Sequence, residues 1–357
     1  MQTAIIGLPQ VGKTSLFTIL TGAASEGRVG STKLQIGVAR VPDKRVDALV
    51  KIFEPPKITY ATVDYVDMPA MSRDALREPS YIASLRAVDA FAHVLRCFDS
   101  ETVAHADGSI DPKRDWQNVE AELILNDLQV VENRLARVEK DLKKLRTPDL
   151  PKEKDLLERC QVALENEQPL RELELDADDE KRLRGFQFLS EKPMLLVLNL
   201  GEDQASELKA IEEKYHNEWL QNKKNIAVAA VCGSVEAELA ELDPAEAADL
   251  MGTYGLAEPG LERVIEASYD LLGLMSFLTA GETEVRAWTI PKGTKAVRAA
   301  GAIHSDFEKK FIRAETINWQ RLLDLGGYSG AKGTGELRLE GKEYIVQDGD
   351  VLVIRHS

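Results

Sequence analysis

The chain has 357 residues, of which 44% are hydrophobic and 29% charged, and this excludes a mostly disordered chain, a collagen-like chain and a disulfide scaffold. Its 45 Lys and Arg against 60 Asp and Glu give a formal net charge of −15, so neither a broad basic surface for nucleic acid nor specific DNA binding is expected. Three scattered cysteines, no signal peptide pattern and no long apolar run predict a cytoplasmic protein without a membrane partner.

Apolar runs alternate with helical patterns over residues 1–118 and again over 191–279. The predicted strands cover residues 3–6, 59–66, 90–97, 194–198 and 227–231. A helix is predicted from Thr14 to Thr21, directly after a glycine-containing turn. Apolar strands separated by helices are typical of a parallel sheet that is covered on both faces, so the fold class is predicted to be α/β.

The turn between the first strand and the first helix carries a phosphate-binding motif. Residues 7–14 read Gly-Leu-Pro-Gln-Val-Gly-Lys-Thr and fit G-x-x-x-x-G-K-[ST] in the required strand–loop–helix context. We expect the Lys13 ammonium to reach the β- and γ-phosphates of ATP or GTP, and the Thr14 hydroxyl to hold Mg²⁺ as the cofactor. The residues predicted to surround the phosphates are Gly7, Pro9, Gln10, Val11, Gly12, Lys13, Thr14 and Ser15.

Two further strand ends supply candidates for the metal and the base. Asp67 closes the strand over 59–66 and is the better candidate for a second Mg²⁺ ligand; a turn residue is the alternative. Asn199 follows a buried strand where GTPases have Asn-Lys-x-Asp, but Leu200 replaces the lysine and Glu202 is one methylene longer than aspartate. These changes weaken a guanine-specific grip, so ATP is predicted to bind at least as well as GTP.

Residues 119–190 have a different pattern, with apolar positions 128, 131, 135, 138, 142 and 145 separated by charged residues. This 3,4 spacing is a heptad seam, and it breaks at the Thr-Pro-Asp-Leu-Pro sequence of 147–151 before a second charged helix over about 152–167. The pattern predicts an antiparallel helical hairpin inserted into the sheet domain. A single long surface helix is the alternative.

Residues 280–357 form a third predicted unit, with alternating strands at 284–290, 336–339 and 351–355 and a glycine-rich run at 326–335 that is predicted to be a flexible loop. This unit has a net charge of +1, whereas the other 279 residues carry −16. It is therefore the best candidate for contact with RNA. The candidate contact residues are Arg286, Trp288, Lys309, Lys310 and Arg313; a solvated sheet face is the equal alternative.

These motifs resemble the YchF-type Obg-like ATPase family of the TRAFAC P-loop GTPases. The resemblance covers nearly the whole chain and is carried by residues 7–15, 36–43, 92–98, 199–202, 236–242, 277–281, 284–289, 300–309 and 344–350. It implies a P-loop domain over 1–118 and 191–279, the coiled-coil hairpin over 119–190, and a β-grasp (TGS) domain over 280–357. It also implies that Cys232, Gly233 and Ser234 complete the base site.

The family resemblance further implies an ATP-hydrolysing switch, sometimes active on GTP, that binds the ribosome through its large subunit or through ribosomal or transfer RNA. The chain departs from the family after Asp67, where Met68, Pro69 and Ala70 replace Ile-Ala-Gly and a glycine-rich segment is missing. The alternative function is therefore a nucleotide-regulated ribosome- or RNA-binding protein with weak or absent hydrolysis.

The catalytic and switch residues follow from the same resemblance. The switch I hydroxyl that contacts Mg²⁺ falls at Ser31 or Thr32, and the choice between them stays open. No glutamine after Asp67 can orient water as in Ras-type enzymes. His105 matches a histidine considered for that role in the family, while a solvated surface residue is the alternative. Lys13 and His105 are thus the predicted catalytic residues.

Overall fold

The computed structural model describes residues 1–22, 34–72, 74–100, 103–106, 108–143 and 149–357. The chain divides into two compact units, one formed by residues 1–37 and 64–271, the other by 38–63 and 272–357. The second unit thus begins before the predicted boundary at 280 and takes in 38–63, which the sequence pattern placed in the P-loop domain. The physical reason is a long-range strand pairing: residues 57–59 run parallel to residues 284–286.

Within the described ranges, the strands form two six-stranded sheets. In chain order they are β1 (Gln2–Ile6), β2 (Gln35–Arg40), β3 (Lys57–Thr59), β4 (Thr62–Asp67), β5 (Ala90–Arg96), β6 (Met194–Asn199), β7 (Ile226–Val231), β8 (Leu274–Ala280), β9 (Glu284–Pro291), β10 (Phe311–Asn318), β11 (Arg338–Glu340) and β12 (Asp350–His356). The first sheet has the order β2-β4-β1-β5-β6-β7 and the second β11-β10-β12-β8-β9-β3.

The helices connect and cover these strands. They are α1 (Lys13–Thr21), α2 (Lys44–Phe53), α3 (Pro79–Ala87), α4 (Pro112–Leu142), α5 (Asp149–Glu165), α6 (Ala177–Leu183), α7 (Leu208–Trp219), α8 (Gly233–Glu241), α9 (Pro244–Tyr254), α10 (Gly260–Leu271), α11 (Ala296–Ile303), α12 (Ser305–Lys309), α13 (Trp319–Asp324) and α14 (Tyr328–Thr334). Among the helices of the described ranges, none combines the length and apolar character that a bilayer crossing needs.

The first sheet confirms the predicted α/β fold. Strand β1 runs parallel to β4 and β5, β5 runs parallel to β6, and β6 runs parallel to β7. Every residue of β5 and β6 is buried, which is the mark of strands covered on both faces. The carboxyl ends of parallel strands lie at one edge, so the loops that follow β1, β4, β5, β6 and β7 meet there.

Helices α4 and α5 form the predicted hairpin, not a single long surface helix. Val131, Leu135 and Val138 of the heptad seam are buried in a cluster that also contains Leu157 and Cys160 of α5. Burial of this apolar stripe is what holds two otherwise charged helices together. The predicted second helix starts slightly earlier, at Asp149.

Two buried polar contacts join α4 to the segment between α5 and β6. Arg171 donates through both terminal nitrogens to the Glu120 carboxylate at 2.8–2.9 Å, and its Nε donates to the Lys192 carbonyl at 2.8 Å. The carboxylate of Asp127 accepts hydrogen bonds from the backbone N–H groups of Leu189 and Ser190 at 2.9 and 2.7 Å. Both contacts hold the N-terminal half of α4 in place.

In the second unit, α11 covers one face of a mixed sheet in the arrangement predicted as β-grasp. Its Ala296, Ala299 and Ala300 share a buried cluster with Phe277 and Leu352. Small side chains on α11 allow the helix to lie close to the strands, so this unit buries a compact core of its own.

The prediction of a flexible loop at 326–335 was wrong. Residues 328–334 form helix α14, which is flanked by Gly327 and Gly335, both with positive φ, at +104° and +74°. The Tyr328 ring lies 5.6 Å from that of Phe53, and its hydroxyl donates to the Ala280 carbonyl at 3.1 Å. The high glycine content suggested a loop, whereas the tertiary contacts of Tyr328 hold this segment in place.

Candidate nucleotide-binding site

The phosphate-binding loop needs glycine at two positions. Gly7 has φ +147° and Gly12 has φ +96°, a backbone region that residues with a side chain rarely adopt. A Cβ atom on Gly7 would lie 2.6 Å from the Val94 carbonyl oxygen, and one on Gly12 would lie 2.5 Å from Nδ2 of Asn199. The glycines of the motif are therefore required by the geometry of this loop, which precedes α1 as the phosphate-binding motif predicts.

Lys13 is buried inside this loop. Its Nζ donates to the Leu8 carbonyl at 2.6 Å, and burial lowers the pKa of Lys13 to about 8 although the nearby Asp67 carboxylate opposes the shift. A buried ammonium is poorly compensated by a carbonyl, whereas a phosphate would offer it a full opposite charge. The loop is thus electrostatically suited to an anion.

Thr14 and Asp67 stand together at the end of β4. The Thr14 hydroxyl donates to Oδ2 of Asp67 at 2.9 Å. The other carboxylate oxygen, Oδ1, is buried and has no hydrogen-bond partner within the described ranges, and burial raises the pKa of Asp67. A hydroxyl beside an unsatisfied carboxylate oxygen fits Mg²⁺, which is held by few protein ligands together with waters and phosphate oxygens.

The other predicted metal ligands are the two switch I candidates. Ser31 and Thr32, the predicted switch I ligands, lie outside the described residues. Where the structure does describe the chain, no group of three or more His, Cys, Asp or Glu side chains is placed to hold a metal ion. A Mg²⁺ site at Thr14 and Asp67 does not need such a group, because the triphosphate would complete the coordination.

Asn199 connects the predicted phosphate and base sites. Its Nδ2 donates to the Val11 carbonyl and its Oδ1 accepts from the Gly233 N–H, both at 3.0 Å. One amide therefore joins the phosphate loop to the turn that opens α8. This arrangement brings together the motif residues that lie far apart in the sequence.

The remaining predicted base residues surround Asn199. Leu200 and Cys232 are buried, and the Cys232 sulfur lies 3.4 Å from the Ser234 hydroxyl. Glu202 is exposed at the start of a 3₁₀ turn over residues 202–207. Glu202 is thus the charged group of this motif that remains accessible to a base.

The segment after Asp67, residues 68–72, is docked on the sheet and is called here the switch II segment. The Met68 N–H donates to the Ile5 carbonyl at 3.2 Å, and the Met71 N–H donates to the Gly7 carbonyl at 2.9 Å. Both methionine side chains are buried in the core of the first unit. The Tyr81 hydroxyl donates to the Pro69 carbonyl at 3.1 Å. These hydrogen bonds and the two buried side chains hold the switch II segment beside the phosphate loop.

His105 is enclosed, so the alternative of a solvated surface histidine is wrong. Its Nε2 lies 3.0 Å from Oδ2 of Asp115, and its side chain is only 5% exposed. The loop that carries it is held by the buried Arg96, whose guanidinium donates to the Val103 and Ala104 carbonyls at 2.7 and 3.2 Å. An oriented imidazole lies in this loop after β5.

The five predicted RNA-contact residues do not form one patch. The Arg286 guanidinium lies 3.8 Å from the centroid of the Trp288 ring. The Trp288 Nε1–H donates to the Thr279 hydroxyl at 2.9 Å. These two side chains form a stacked pair on one face of the second sheet.

Strand register places Arg313 on the other face of that sheet. Arg313 is paired with Arg355 in β12, and Val351, four residues earlier in β12, is paired with Leu278 of β8, so all four side chains share one face. Trp288 is paired with Phe277, the residue next to Leu278 in β8. Because side chains alternate along a strand, Arg313 and Trp288 point to opposite faces. The predicted Lys309 and Lys310 lie at the end of α12.

Comparison with known proteins identifies the family. The chain is 38% identical over 364 residues to the "Ribosome-binding ATPase YchF" of Bacillus subtilis, covering 100% of this chain and 99% of the relative, and 39% identical over 361 residues to the protein of the same name from Escherichia coli O157:H7, covering 98% and 97%. The chain belongs to the YchF family. Residues 274–357 also match the YchF-GTPase_C family model, described as a protein of unknown function (DUF933).

A solved structure shows the same YchF architecture. The Schizosaccharomyces pombe YchF GTPase matches with a TM-score of 0.87 and 27% identity over 99% of this chain and 97% of that one. The similarity therefore extends over both compact units of this YchF chain.

Sequence reasoning missed several groups that shape this YchF site. The Leu8 carbonyl that holds Lys13, and Asp115 and Arg96 that hold His105 and its loop, were not predicted. A charged arginine at the end of a buried, mostly apolar strand was the available signal for Arg96. Asp115 gave no signal, because its contact with His105 depends on how α4 packs.

Proposed function

We propose that this chain is a P-loop NTPase that binds ATP with Mg²⁺, hydrolyses it slowly and acts on the ribosome in the cytoplasm. The observation that supports this most is the Thr14–Asp67 contact with its unsatisfied carboxylate oxygen, placed beside the buried Lys13. No simple structural role explains a lysine, a hydroxyl and a carboxylate with one oxygen unpaired among the described residues, all placed around one glycine-dependent loop. The names of the relatives, ribosome-binding ATPases, agree with this function.

The roles of the residues follow from their placement. Lys13 would balance negative charge on the β- and γ-phosphates, and the loop N–H groups at the start of α1 would hold phosphate oxygens. Thr14 and Asp67 would hold Mg²⁺, which neutralises charge that develops on the transferred phosphoryl group. Gly7 and Gly12 keep the loop open for this purpose.

ATP is proposed as the preferred nucleotide because Leu200 is buried and Glu202 replaces the guanine-reading aspartate. Calorimetric titration with Mg²⁺ should give a dissociation constant for ATP equal to or below that for GTP. The double variant Leu200→Lys with Glu202→Asp should shift the preference towards GTP. Much tighter GTP binding by the wild type would refute the assignment.

Ribosome binding is proposed from the names of the relatives, and the stacked Arg286–Trp288 pair is the proposed RNA contact. Ribosomes should co-sediment with more protein in ATP and Mg²⁺ than in ADP. Arg286→Ala with Trp288→Ala should reduce this fraction, and Arg313→Ala, on the opposite sheet face, is the matched control. Equal sedimentation in ATP, in ADP and without nucleotide would argue against a nucleotide-dependent ribosome factor.

The alternative function, a nucleotide-regulated ribosome- or RNA-binding protein with weak or absent hydrolysis, is favoured by the docked switch II segment. Its Met71–Gly7 hydrogen bond and two buried methionines resist the movement of a switch. ATP binding without measurable turnover in the wild type would select this alternative. Mg²⁺-dependent turnover would select the enzyme.

His105 is proposed to position the attacking water, with Asp115 orienting its ring. Under single-turnover conditions, His105→Ala should lower the hydrolysis rate about 10²-fold while leaving ATP affinity unchanged, because it touches the nucleophile and not the bound phosphates. Asp115→Asn should reduce the rate less. An unchanged single-turnover rate in His105→Ala would remove His105 from the mechanism.

A further inference from the structure

His93 lies in the middle of β5 and is fully buried. Neither ring nitrogen has a hydrogen-bond partner in the part of the chain that the structure describes. Burial, assisted by the positive charge of Lys13, lowers the pKa of His93 to about 3. The ring is therefore neutral, with one N–H donor and one acceptor nitrogen, and both are unsatisfied.

The position of His93 relates it to the phosphate loop. It is paired with Ile6 across β1 and β5, and Ile6 is the residue immediately before the loop. Its Cδ2 lies 3.6 Å from where a Cβ on Gly7 would be. The imidazole thus stands against the first residue of the loop, on the strand next to the one that enters it.

An unsatisfied buried imidazole is costly, and an apolar residue of similar size would avoid the cost. Its neighbours Phe91 and Leu95 on β5 and Leu196 on β6 are apolar and buried, so core packing alone does not call for a polar ring. The polar backbone of the phosphate loop lies beside the ring at Gly7. In that loop the Lys13 ammonium holds the Leu8 carbonyl and the Met71 N–H holds the Gly7 carbonyl.

We propose that His93 is a positioning residue for the nucleotide, and that its ring forms a hydrogen bond with the backbone of the phosphate loop when a triphosphate occupies that loop. When Lys13 turns to the phosphates, it releases the Leu8 carbonyl, and the backbone of the loop can then shift so that one of its peptide groups meets the imidazole. The neutral ring supplies a donor and an acceptor without adding charge beneath the loop. This inference rests on the proposed nucleotide binding.

The test compares empty and loaded protein. His93→Leu should leave the melting temperature without nucleotide unchanged or higher, since it removes unsatisfied polar atoms, and should weaken ATP·Mg²⁺ binding about tenfold, the worth of one buried hydrogen bond. His93→Asn should recover part of that affinity. Leu196→Met, a volume-conserving change at the position paired with His93, is the control for disturbed packing and should bind ATP as the wild type does.

Other results would overturn the inference alone, or the proposed function together with it. His93→Leu with a lowered melting temperature when empty and wild-type ATP affinity would make His93 a structural residue and overturn the inference alone. A wild type that shows neither heat nor a thermal shift with ATP or GTP would overturn the proposed function and this inference with it. Should His93→Leu not fold, ring ¹⁵N shifts of wild-type His93 decide the matter: a hydrogen-bonding shift on adding ATP·Mg²⁺ supports the inference, and an unchanged spectrum refutes it.

Discussion

Lys13→Ala should weaken ATP·Mg²⁺ binding by about 10²–10³-fold and abolish Mg²⁺-dependent turnover. The expected size follows from removing the buried partner of a multiply charged ligand, a loss of several kcal/mol. Burial disfavours the charged form of Lys13, as its lowered pKa shows, so the empty variant should melt at or above the wild-type temperature. Calorimetry and phosphate release measure the first two effects, and thermal unfolding measures the third.

The matched control for Lys13 is Lys152→Ala. Lys152 is exposed on α5, far along the sequence from the phosphate loop, and its loss removes the same charge from the whole protein. It should bind and hydrolyse ATP as the wild type does. If Lys13→Ala retained wild-type affinity, the loop would not be the nucleotide site.

Arg171→Leu should lower the free energy of unfolding by about 3–5 kcal/mol, the typical cost of leaving one member of a buried ion pair without its partner. The Arg171 side chain is 1% exposed and that of Glu120 12% exposed, so water cannot replace the lost bidentate contact. The Lys192 carbonyl would lose its hydrogen bond as well. Chemical denaturation measures the change.

Two further variants separate this effect from a general loss of charge. The double variant Glu120→Met with Arg171→Leu should recover much of the stability, because no buried charge is left unpaired. Lys154→Ala removes one partner of an exposed contact with Glu158 and should change the unfolding free energy by less than about 1 kcal/mol. A loss of that small size in Arg171→Leu would contradict a structural role for the pair.

Local patterns in the sequence were sufficient for the features that depend on near neighbours. The phosphate loop follows from eight consecutive residues, and the hairpin follows from a heptad seam whose Val131, Leu135 and Val138 are buried as expected. Asp67 and Asn199 were predicted as site residues because both stand where a strand ends. In a parallel sheet the carboxyl ends of the strands lie at one edge, so residues at these ends can be predicted to lie close together from the sequence alone.

Features that depend on distant partners could not be predicted. The pairing of β3 with β9 joins residues more than 200 positions apart, and it moves 38–63 into the second unit. The placement of Arg286 and Arg313 on opposite faces of the second sheet depends on the register of four strands. The docking of Met71 on Gly7 depends on the packing of the Met71 side chain in the core, which the sequence does not display.

The Asn199 amide has a consequence for how a ligand would be sensed. Because one planar group is bonded to both Val11 and Gly233, the turn at the proposed base site and the loop proposed to hold the phosphates are mechanically coupled. A nucleoside that lacks phosphates but fills the base end should therefore still stiffen the cradle, and protection of the Gly12 amide from hydrogen exchange should rise with adenosine alone. The triphosphate would then meet a loop that the purine has already ordered.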